Sequence, residues 1–381
     1  MSTTASLSLS AVDSPLRFIR PTTPSIREVL NNYVRSFDDG MLTNGDIVVR
    51  LEETVADRLG VAHCVAVSSC TSGLMLVLKA LGISGDVILP SFTFFATGHA
   101  VLWNGLRPVF ADCDRRDWTV DATDVERRIT ERTSAILAVH LYGNPARIEA
   151  LQQIATRHGL KLIFDAAHAF GSSYRGSPIG GFGDAEVFSL SPTKLLVAGE
   201  GGLVCTNDST LARLVRAARN YGDNGSYDPE LVGLNARMTE FNAALALAGM
   251  DMVERKVERH NRIAKLYTNL LAATPGIALQ RIDTDDRSAY KDFCVLISPA
   301  EFGMNRDRVG DLLQEQGIPT KKYFCPPLHR QRVFTSYCPS GDTGLSNTAR
   351  ISQTVLSLPI YAALSDEAVR RVAQAIRHIA R

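Results

Sequence analysis

Neither sign of charge dominates this 381-residue chain: 41 Lys and Arg stand against 40 Asp and Glu, a net of +1. That balance excludes a strongly basic nucleic-acid binder, or a polyacidic tail, as the main character of the protein. Charged ligands must then be held by locally placed groups. No run of eighteen apolar residues occurs, so no membrane-spanning helix is expected. The seven cysteines (Cys64, Cys70, Cys113, Cys205, Cys294, Cys325 and Cys338) are odd in number and irregular in spacing, with no C-x-x-C. Neither a disulfide framework nor a zinc site follows from them; small buried hydrophobes in a reducing cytoplasm are expected instead. The eight histidines show no H-E-x-x-H spacing, and no metal is expected. Asp112, Asp114 and Asp117 lack the glycine and distal glutamate of a calcium loop. The stretch Gly180 to Gly183 lacks the third glycine and the helix of a dinucleotide fingerprint. The Ser/Thr-rich start, Met1 to Asp13, has no basic residues and no long apolar run, so a frayed tail over residues 1–14 is expected rather than a secretory signal.

What is present has the composition of an ordinary globular protein, 45% hydrophobic and 21% charged. The length suggests two domains. Helical periodicity over Ile26–Phe37 and Asp46–Leu59 precedes an alternation of short apolar runs and amphipathic stretches. The runs are His63–Val67, Asp86–Leu89, Pro108–Ala111, Ala135–Val139 and Lys161–Phe164. The helical stretches between them are Thr71–Leu81, Phe95–Trp103, Val120–Ile129 and Ile148–His158. This alternation predicts βαβ crossovers and a mainly parallel sheet, whose strands, buried on both faces, read as continuous Val/Ile/Leu. Val187–Ser189 and Gly202–Thr206 lie close enough in sequence to pair antiparallel. A long helical pattern runs from Thr239 to Leu271, and the alternation resumes on a smaller scale from Ile277 onward. A boundary inside or just after that helix divides a large α/β domain, 15–255, from a smaller C-terminal one, 256–381.

In an open α/β sheet ligands sit beyond the carboxyl ends of the strands, so polar residues that end strands are the candidates. Asp165 directly follows Lys161–Phe164; a carboxylate there needs a donor or cation, or serves as a helix N-cap. Lys194 stands among Ser, Thr and Gly just past a strand; a desolvated amine there suits a Schiff-base nucleophile, and an ordinary surface lysine is the plainer reading. The turn Ser68–Gly73 joins strand to helix, and its N–H groups with the Thr71 and Ser72 hydroxyls make either an anion site or a simple cap. Phe92, Phe94 and Phe95 offer ring faces at the next strand end, or plain core packing. Taken together, an anion cradle, an aromatic face, a carboxylate and an amine at one sheet edge match the needs of pyridoxal phosphate.

Six motifs carry a more specific signal: Leu-Thr-Asn-Gly at 42–45, Ser-Ser-Cys-Thr-Ser-Gly-Leu at 68–74, Pro-Ser-Phe-Thr-Phe-Phe-Ala-Thr at 90–97, Asp-Ala-Ala-His-Ala-Phe-Gly at 165–171, Ser189 to Lys194 with Glu-Gly-Gly at 200–202, and Asn-Ala-Arg-Met-Thr-Glu at 235–240. In this order and spacing the chain resembles the DegT/DnrJ/EryC1/StrS sugar aminotransferases, a branch of the fold-type I pyridoxal-phosphate enzymes, over nearly its whole length. The resemblance implies the aspartate-aminotransferase fold, with a large, mainly parallel-sheet domain that binds the cofactor and a smaller C-terminal α/β domain. It implies that Lys194 forms the Schiff base and moves the proton, that Asp165 pairs with the pyridine nitrogen, and that Phe94 stacks on the ring. It places the phosphate on Thr71, Ser72 and Ser189, with Asn235 reaching it from the other subunit of a homodimer. His168 stands where many relatives have Gln near the cofactor's phenolic oxygen. Cys70 replaces a usual glycine, Met41 a frequent Trp, and Leu190–Ser191 the more usual Phe-His.

The reaction implied is a two-stage transamination in the cytoplasm, from an amino acid, most often L-glutamate, to a ketone on a nucleotide-linked sugar. The stretches 139–145, 102–105 and 321–324 resemble the subgroup acting at C4 of dTDP-4-keto-6-deoxyglucose. Thr43, Tyr323 and His329 are the residues expected to border the substrate. Relatives acting at C3 or on cyclitols share most of this framework. Lys194 argues against the dehydratase branch, which carries histidine there. A non-catalytic regulator that binds the cofactor is a further alternative, disfavoured by the lack of any DNA-binding segment.

Overall fold

The computed structural model describes residues 16–338, 341 and 343–380, and the tail expected over 1–14 lies outside them. Helices α1 (Ile26–Asp38) and α2 (Asp46–Leu59) lead into the alternating region. Its strands are β1 (His63–Val67), β2 (Asp86–Pro90), β3 (Arg107–Ala111), β4 (Thr133–Val139), β5 (Lys161–Asp165), a small hairpin β6–β7 (Ser173–Tyr174 and Ser177–Pro178), β8 (Ala185–Ser189) and β9 (Gly202–Thr206). Between them run α3 (Cys70–Ala80), α4 (Phe95–Trp103), α5 (Ala122–Arg127) and α6 (Ile148–His158), with α7 (Ser209–Ala218) after β9. Seven strands form one sheet in the order β1-β9-β8-β5-β4-β2-β3. Pairing is parallel from β8 to β3, and β9 lies antiparallel to both its neighbours. The antiparallel pair expected at β8–β9 is therefore present. Successive strand residues feed opposite cores: Leu162 and Phe164 pack on one face of the sheet, Ile163 on the other.

The long helical pattern after Thr239 is two helices, α8 (Glu240–Gly249) and α9 (Val253–Leu271), joined by a single 3₁₀ turn, Met250–Met252. Gly249 has helical φ but low ψ, and the chain tightens there before resuming. In α9, Val253 and Val257 pack into the large sheet's core, while Ile263, Tyr267 and Leu271 pack into a second core. That second core lies against the antiparallel sheet β10 (Ile277–Leu279), β11 (Phe293–Ile297) and β12 (Val355–Leu358). It is closed by α11 (Arg306–Glu315) and α13 (Asp366–Ile379); α10 (Pro299–Phe302) precedes α11, and α12 (Ser346–Thr354) lies between α11 and α13 in sequence. Leu16, at the start of the described chain, packs on the same core. Among the described residues no helix is long and apolar enough to cross a membrane.

One buried carboxylate ties the start of the chain to this frame. Helix α2 opens on Gly45, which has no side chain with which to cap it. The cap comes from α8: the Glu240 carboxylate accepts the N–H groups of Gly45 (2.9 Å), Ile47 (2.9 Å) and Val48 (3.1 Å), and the Ser36 hydroxyl of α1 (3.1 Å). Glu240 is fully buried. A Cβ on Gly45 would fall 2.5 Å from Met41 Cγ and 3.0 Å from the Glu240 carboxyl carbon, so a larger residue would have to displace the exposed Met41 side chain and press on the Glu240 carboxylate. A bridge between Thr43 and Thr239 runs alongside. This is why the motifs at 42–45 and 235–240 occur together. Replacing Glu240 with alanine leaves three helix N–H donors buried and unmatched, and Glu240→Ala should lose roughly 2–4 kcal/mol in denaturant unfolding; a loss under about 1 kcal/mol would contradict this role.

Candidate active site

Strand ends converge at the carboxyl edge of the large sheet. Register pairs Val67 and Ser189 with Gly202, and Asp165 with Val139 and Val187. A Cβ on Gly202 would lie 2.5–2.6 Å from the Ser69–Cys70 peptide, so glycine lets β9 press against the first turn of α3. A cavity of about 350 Å³ opens here. Thr71, Phe94, Asp165, His168, Ser189, Lys194 and Tyr323, all expected from the sequence, line it.

The α3 turn is built for an anion. Ser69 caps the helix by accepting the Ser72 N–H (3.1 Å), and the Ser72 hydroxyl accepts the Ser69 N–H in return (3.1 Å). Ser72 Oγ also donates to Ser69 O (2.9 Å). That capping box occupies the Ser72 side chain and leaves the N–H groups of Cys70 and Thr71, at the helix's positive end, without a partner inside the helix. Cys70 does not obstruct them: its thiol faces the sheet, 3.4 Å from Val187 O and 3.9 Å from Asp165 Oδ1. Burial first, then the Asp165 charge, raises that thiol well above its ordinary pKa and keeps it protonated.

Asp165 is buried at the end of β5 and held from two sides. Thr97 Oγ1, on α4, donates to Oδ2 at 2.7 Å, and the Ala167 N–H donates to Oδ1 at 3.1 Å. Burial raises its pKa, opposed by those two bonds and by Lys194. Lys194 keeps part of its side chain on the cavity, yet burial, with the nearby Lys291 cation, lowers its pKa to about 8. His168 Nδ1 accepts the Tyr142 N–H at 3.2 Å, and its ring lies parallel to that of Phe324, 6.2 Å between centroids. Burial, then the two lysines, pushes its pKa well below 6.5, so the imidazole is neutral and carries its proton on Nε2. Phe94 is exposed at the rim, its ring centroid 3.8 Å from that of Phe95.

Four expected residues stand elsewhere in this single chain. Ser72 is beneath the turn, as described. Thr43 borders a separate cleft with Met41, Arg213, Arg216 and Arg237. Asn235 is exposed and bridges Asn220. His329 is buried, with Nδ1 2.6 Å from Ser91 Oγ, and fixes the loop behind the cavity. The sequence reading missed Thr97, Lys291 and Asp292. Thr97 carried a signal, being one turn into the helix that follows Phe94. Lys291 and Asp292 precede the apolar run Phe293–Ile297 and read as a solvated charge pair, but both are buried and line the cavity.

Comparison with known proteins bears on this arrangement. The profile of the DegT/DnrJ/EryC1/StrS aminotransferase family matches residues 24–377. A dTDP-4-amino-4,6-dideoxy-D-glucose transaminase of Escherichia coli is 33% identical over 94% of this chain and 97% of its own. A UDP-N-acetyl-3-dehydro-alpha-D-glucosamine 3-aminotransferase of Acidithiobacillus ferrooxidans is 35% identical over 92% of this chain and 93% of its own. The crystal structure of DesI, analysed in the presence of its TDP-sugar product, superposes with a TM-score of 0.91 at 39% identity, covering 97% of this chain and 94% of the other.

The lysine electrostatics give a test in the cofactor-free protein. An unfolded lysine holds its proton to about pH 10.4, whereas folded Lys194 releases it near 8. The unfolded state therefore binds more protons between those values, and stability rises with pH across that window. Lys256, lowered to about 8 by burial, acts with the same sign. Lys194→Met should stabilise the cofactor-free protein below pH 8 by roughly 1–3 kcal/mol and reduce the rise to the part owed to Lys256. An unchanged melting profile from pH 7 to 10 would contradict a desolvated Lys194.

Proposed function

The chain belongs to the DegT/DnrJ/EryC1/StrS aminotransferase family, and from that premise we propose that it aminates C4 of dTDP-4-keto-6-deoxyglucose, with L-glutamate as amino donor. Pyridoxal phosphate is the family's cofactor, and the residues of the cavity suit it: a buried carboxylate short of a cation, two unmatched helix N–H groups and a desolvated amine line one cavity. That constellation is the observation that carries the reading. The E. coli likeness favours C4, and it and the DesI likeness favour a thymidine nucleotide; the Acidithiobacillus likeness keeps C3 as the second reading.

When bound, pyridoxal phosphate supplies an aldehyde to take the amino group and a ring that spreads the charge developing on the reacting carbon. The protein's share follows from its own groups. The N–H groups of Cys70 and Thr71, with the Thr71 and Ser189 hydroxyls, hold the phosphate. Asp165, pinned by Thr97 and Ala167, keeps a proton on the pyridine nitrogen. Phe94 offers a ring face. The protonated Nε2 of neutral His168 donates to the phenolic oxygen, the same donor a glutamine amide supplies, which explains the exchange at this position. Lys194 Nζ, with a pKa of about 8, takes and returns the proton at the reacting carbon near neutral pH.

A second copy of the chain completes the site in this proposal. Ile26, Leu30, Val34 and Phe37 form an exposed apolar stripe along α1, continued by Met41 and Leu42. Covering it would bring the exposed Asn235 and the Thr43 cleft against a partner. Leu30→Asp with Val34→Asp should yield a monomer by light scattering, with transamination reduced more than tenfold if the site is shared; a fully active monomer would refute the shared site.

The decisive assay offers L-glutamate with dTDP-4-keto-6-deoxyglucose and with its 3-keto isomer, and locates the new amine by NMR. Amination at C4 supports the proposal, amination at C3 selects the second reading, and no amination of either sugar overturns both. Asp165→Asn should lower turnover by at least about 100-fold without unfolding the protein, because a neutral amide cannot hold the pyridinium proton.

A further inference from the structure

Part of the wall of the cavity that holds Lys194 comes from the segment leading into β11. Lys291 and Asp292, immediately before β11, are 5% and 2% exposed. Lys291 Nζ donates to Asp292 Oδ1 at 2.8 Å and lies 5.5 Å from the centre of the Tyr323 ring. The second carboxylate oxygen, Asp292 Oδ2, is buried with no hydrogen-bond partner. Both side chains line the cavity that holds Lys194 and Asp165. A carboxylate oxygen desolvated without a donor is costly. The ion pair occupies Oδ1 and leaves Oδ2 as the one oxygen of this carboxylate still without a donor.

The two substrates of the proposed reaction differ sharply in what they could bring to it. Glutamate brings two carboxylates, which an aspartate repels, and an ammonium that is used up in the chemistry. A keto-sugar brings neutral ring hydroxyls, each a hydrogen-bond donor. We propose that Asp292, held in place by Lys291, accepts a hydrogen bond from a ring hydroxyl of the keto-sugar beside the carbon that receives the amine, and so selects the sugar in the second half of the reaction. Asp292 lines the cavity that holds Lys194, and its charge acts on the Lys194 amine, which sets it near the reacting end of the sugar. A site that hydrogen-bonds a hydroxyl rejects an analogue lacking it far more strongly than an apolar pocket rejects a methylene. Lys291 is a positioning residue here, acting through Asp292. This inference rests on the proposed sugar substrate.

The test separates the two half-reactions of the cofactor-loaded protein. Each is followed by cofactor absorbance, one with L-glutamate and the other with dTDP-4-keto-6-deoxyglucose. In Asp292→Asn, kcat/KM for the sugar should fall about 10- to 100-fold relative to kcat/KM for glutamate, the loss expected for one hydrogen bond to a charged group. A keto-sugar analogue lacking the C3 hydroxyl should be discriminated against by the native protein, and that discrimination should shrink to within about threefold in Asp292→Asn. Titration of the native and variant proteins, loaded with pyridoxamine phosphate so that neither partner carries a carbonyl, with dTDP-4-amino-4,6-dideoxyglucose should show the same weakening as binding alone. Should Asp292→Asn fail to fold because Lys291 loses its partner, the paired variant Lys291→Gln with Asp292→Asn removes the stranded cation and is measured instead. Equal losses on the sugar and glutamate sides, or undiminished discrimination against the deoxy analogue, overturns the inference. If the native protein aminates no sugar, it is the proposed function that fails.

Discussion

A carboxylate buried at the end of a strand has to be matched, and the large domain is arranged around matching Asp165. Parallel strands put its side chain at the sheet's carboxyl edge, and Thr97 and Ala167 fix both oxygens. Those two neutral donors do not offset burial completely, since the carboxyl pKa remains raised. In the proposed function a cationic ring nitrogen supplies that balance. In the same cavity this physics acts with opposite sign on Lys194, an amine made less basic by burial and by the Lys291 charge. One cavity thus biases an acid towards its neutral form and an amine towards its reactive form.

The remaining structure keeps that cavity's walls in register. The antiparallel strand β9 starts on Gly202, which brings the α3 turn down against the sheet. Glu240 caps α2 from a distance and anchors the helices that carry the apolar stripe. Helix α9 passes from one core to the other, so the small domain's Lys291, Asp292 and Tyr323 are held facing Lys194.

Much of this was legible in the sequence where one local rule governed. Asp46–Leu59, Phe95–Trp103 and Ile148–His158 are helices with the expected ends, and the parallel sheet follows from the apolar runs between them. The stretch expected as a helix over Val120–Ile129 shortens to Ala122–Arg127, because Val120 is taken up in a bridge to Cys113 and Asp121 caps the helix instead. The single helix expected after Thr239 divides at Met250, a break that periodicity cannot register because both pieces keep the same apolar face. Asp165 and Lys194 were legible because strand ends are where ligands sit. Lys291 and Asp292 were not: a Lys-Asp dipeptide ahead of a strand looks solvated until the fold sets it against a sheet edge more than a hundred residues away in sequence. The engagement of Ser72 in a capping box likewise depends on rotamers that no motif records.

Three buried or half-buried lysines surround this part of the molecule: Lys194, Lys256, whose ammonium donates to Leu195 O, and Lys291, paired with Asp292. Lys194 and Lys256 are both lowered to about 8, so basicity alone does not choose between them; the account rests on Lys194 alone facing both Asp165 and the α3 turn. The direct measurement is borohydride reduction of the pyridoxal-phosphate-loaded protein, followed by digestion and mass spectrometry of the modified peptide. The account predicts the cofactor fixed to Lys194, with Lys256 and Lys291 unmodified; attachment to either of those lysines instead would contradict it.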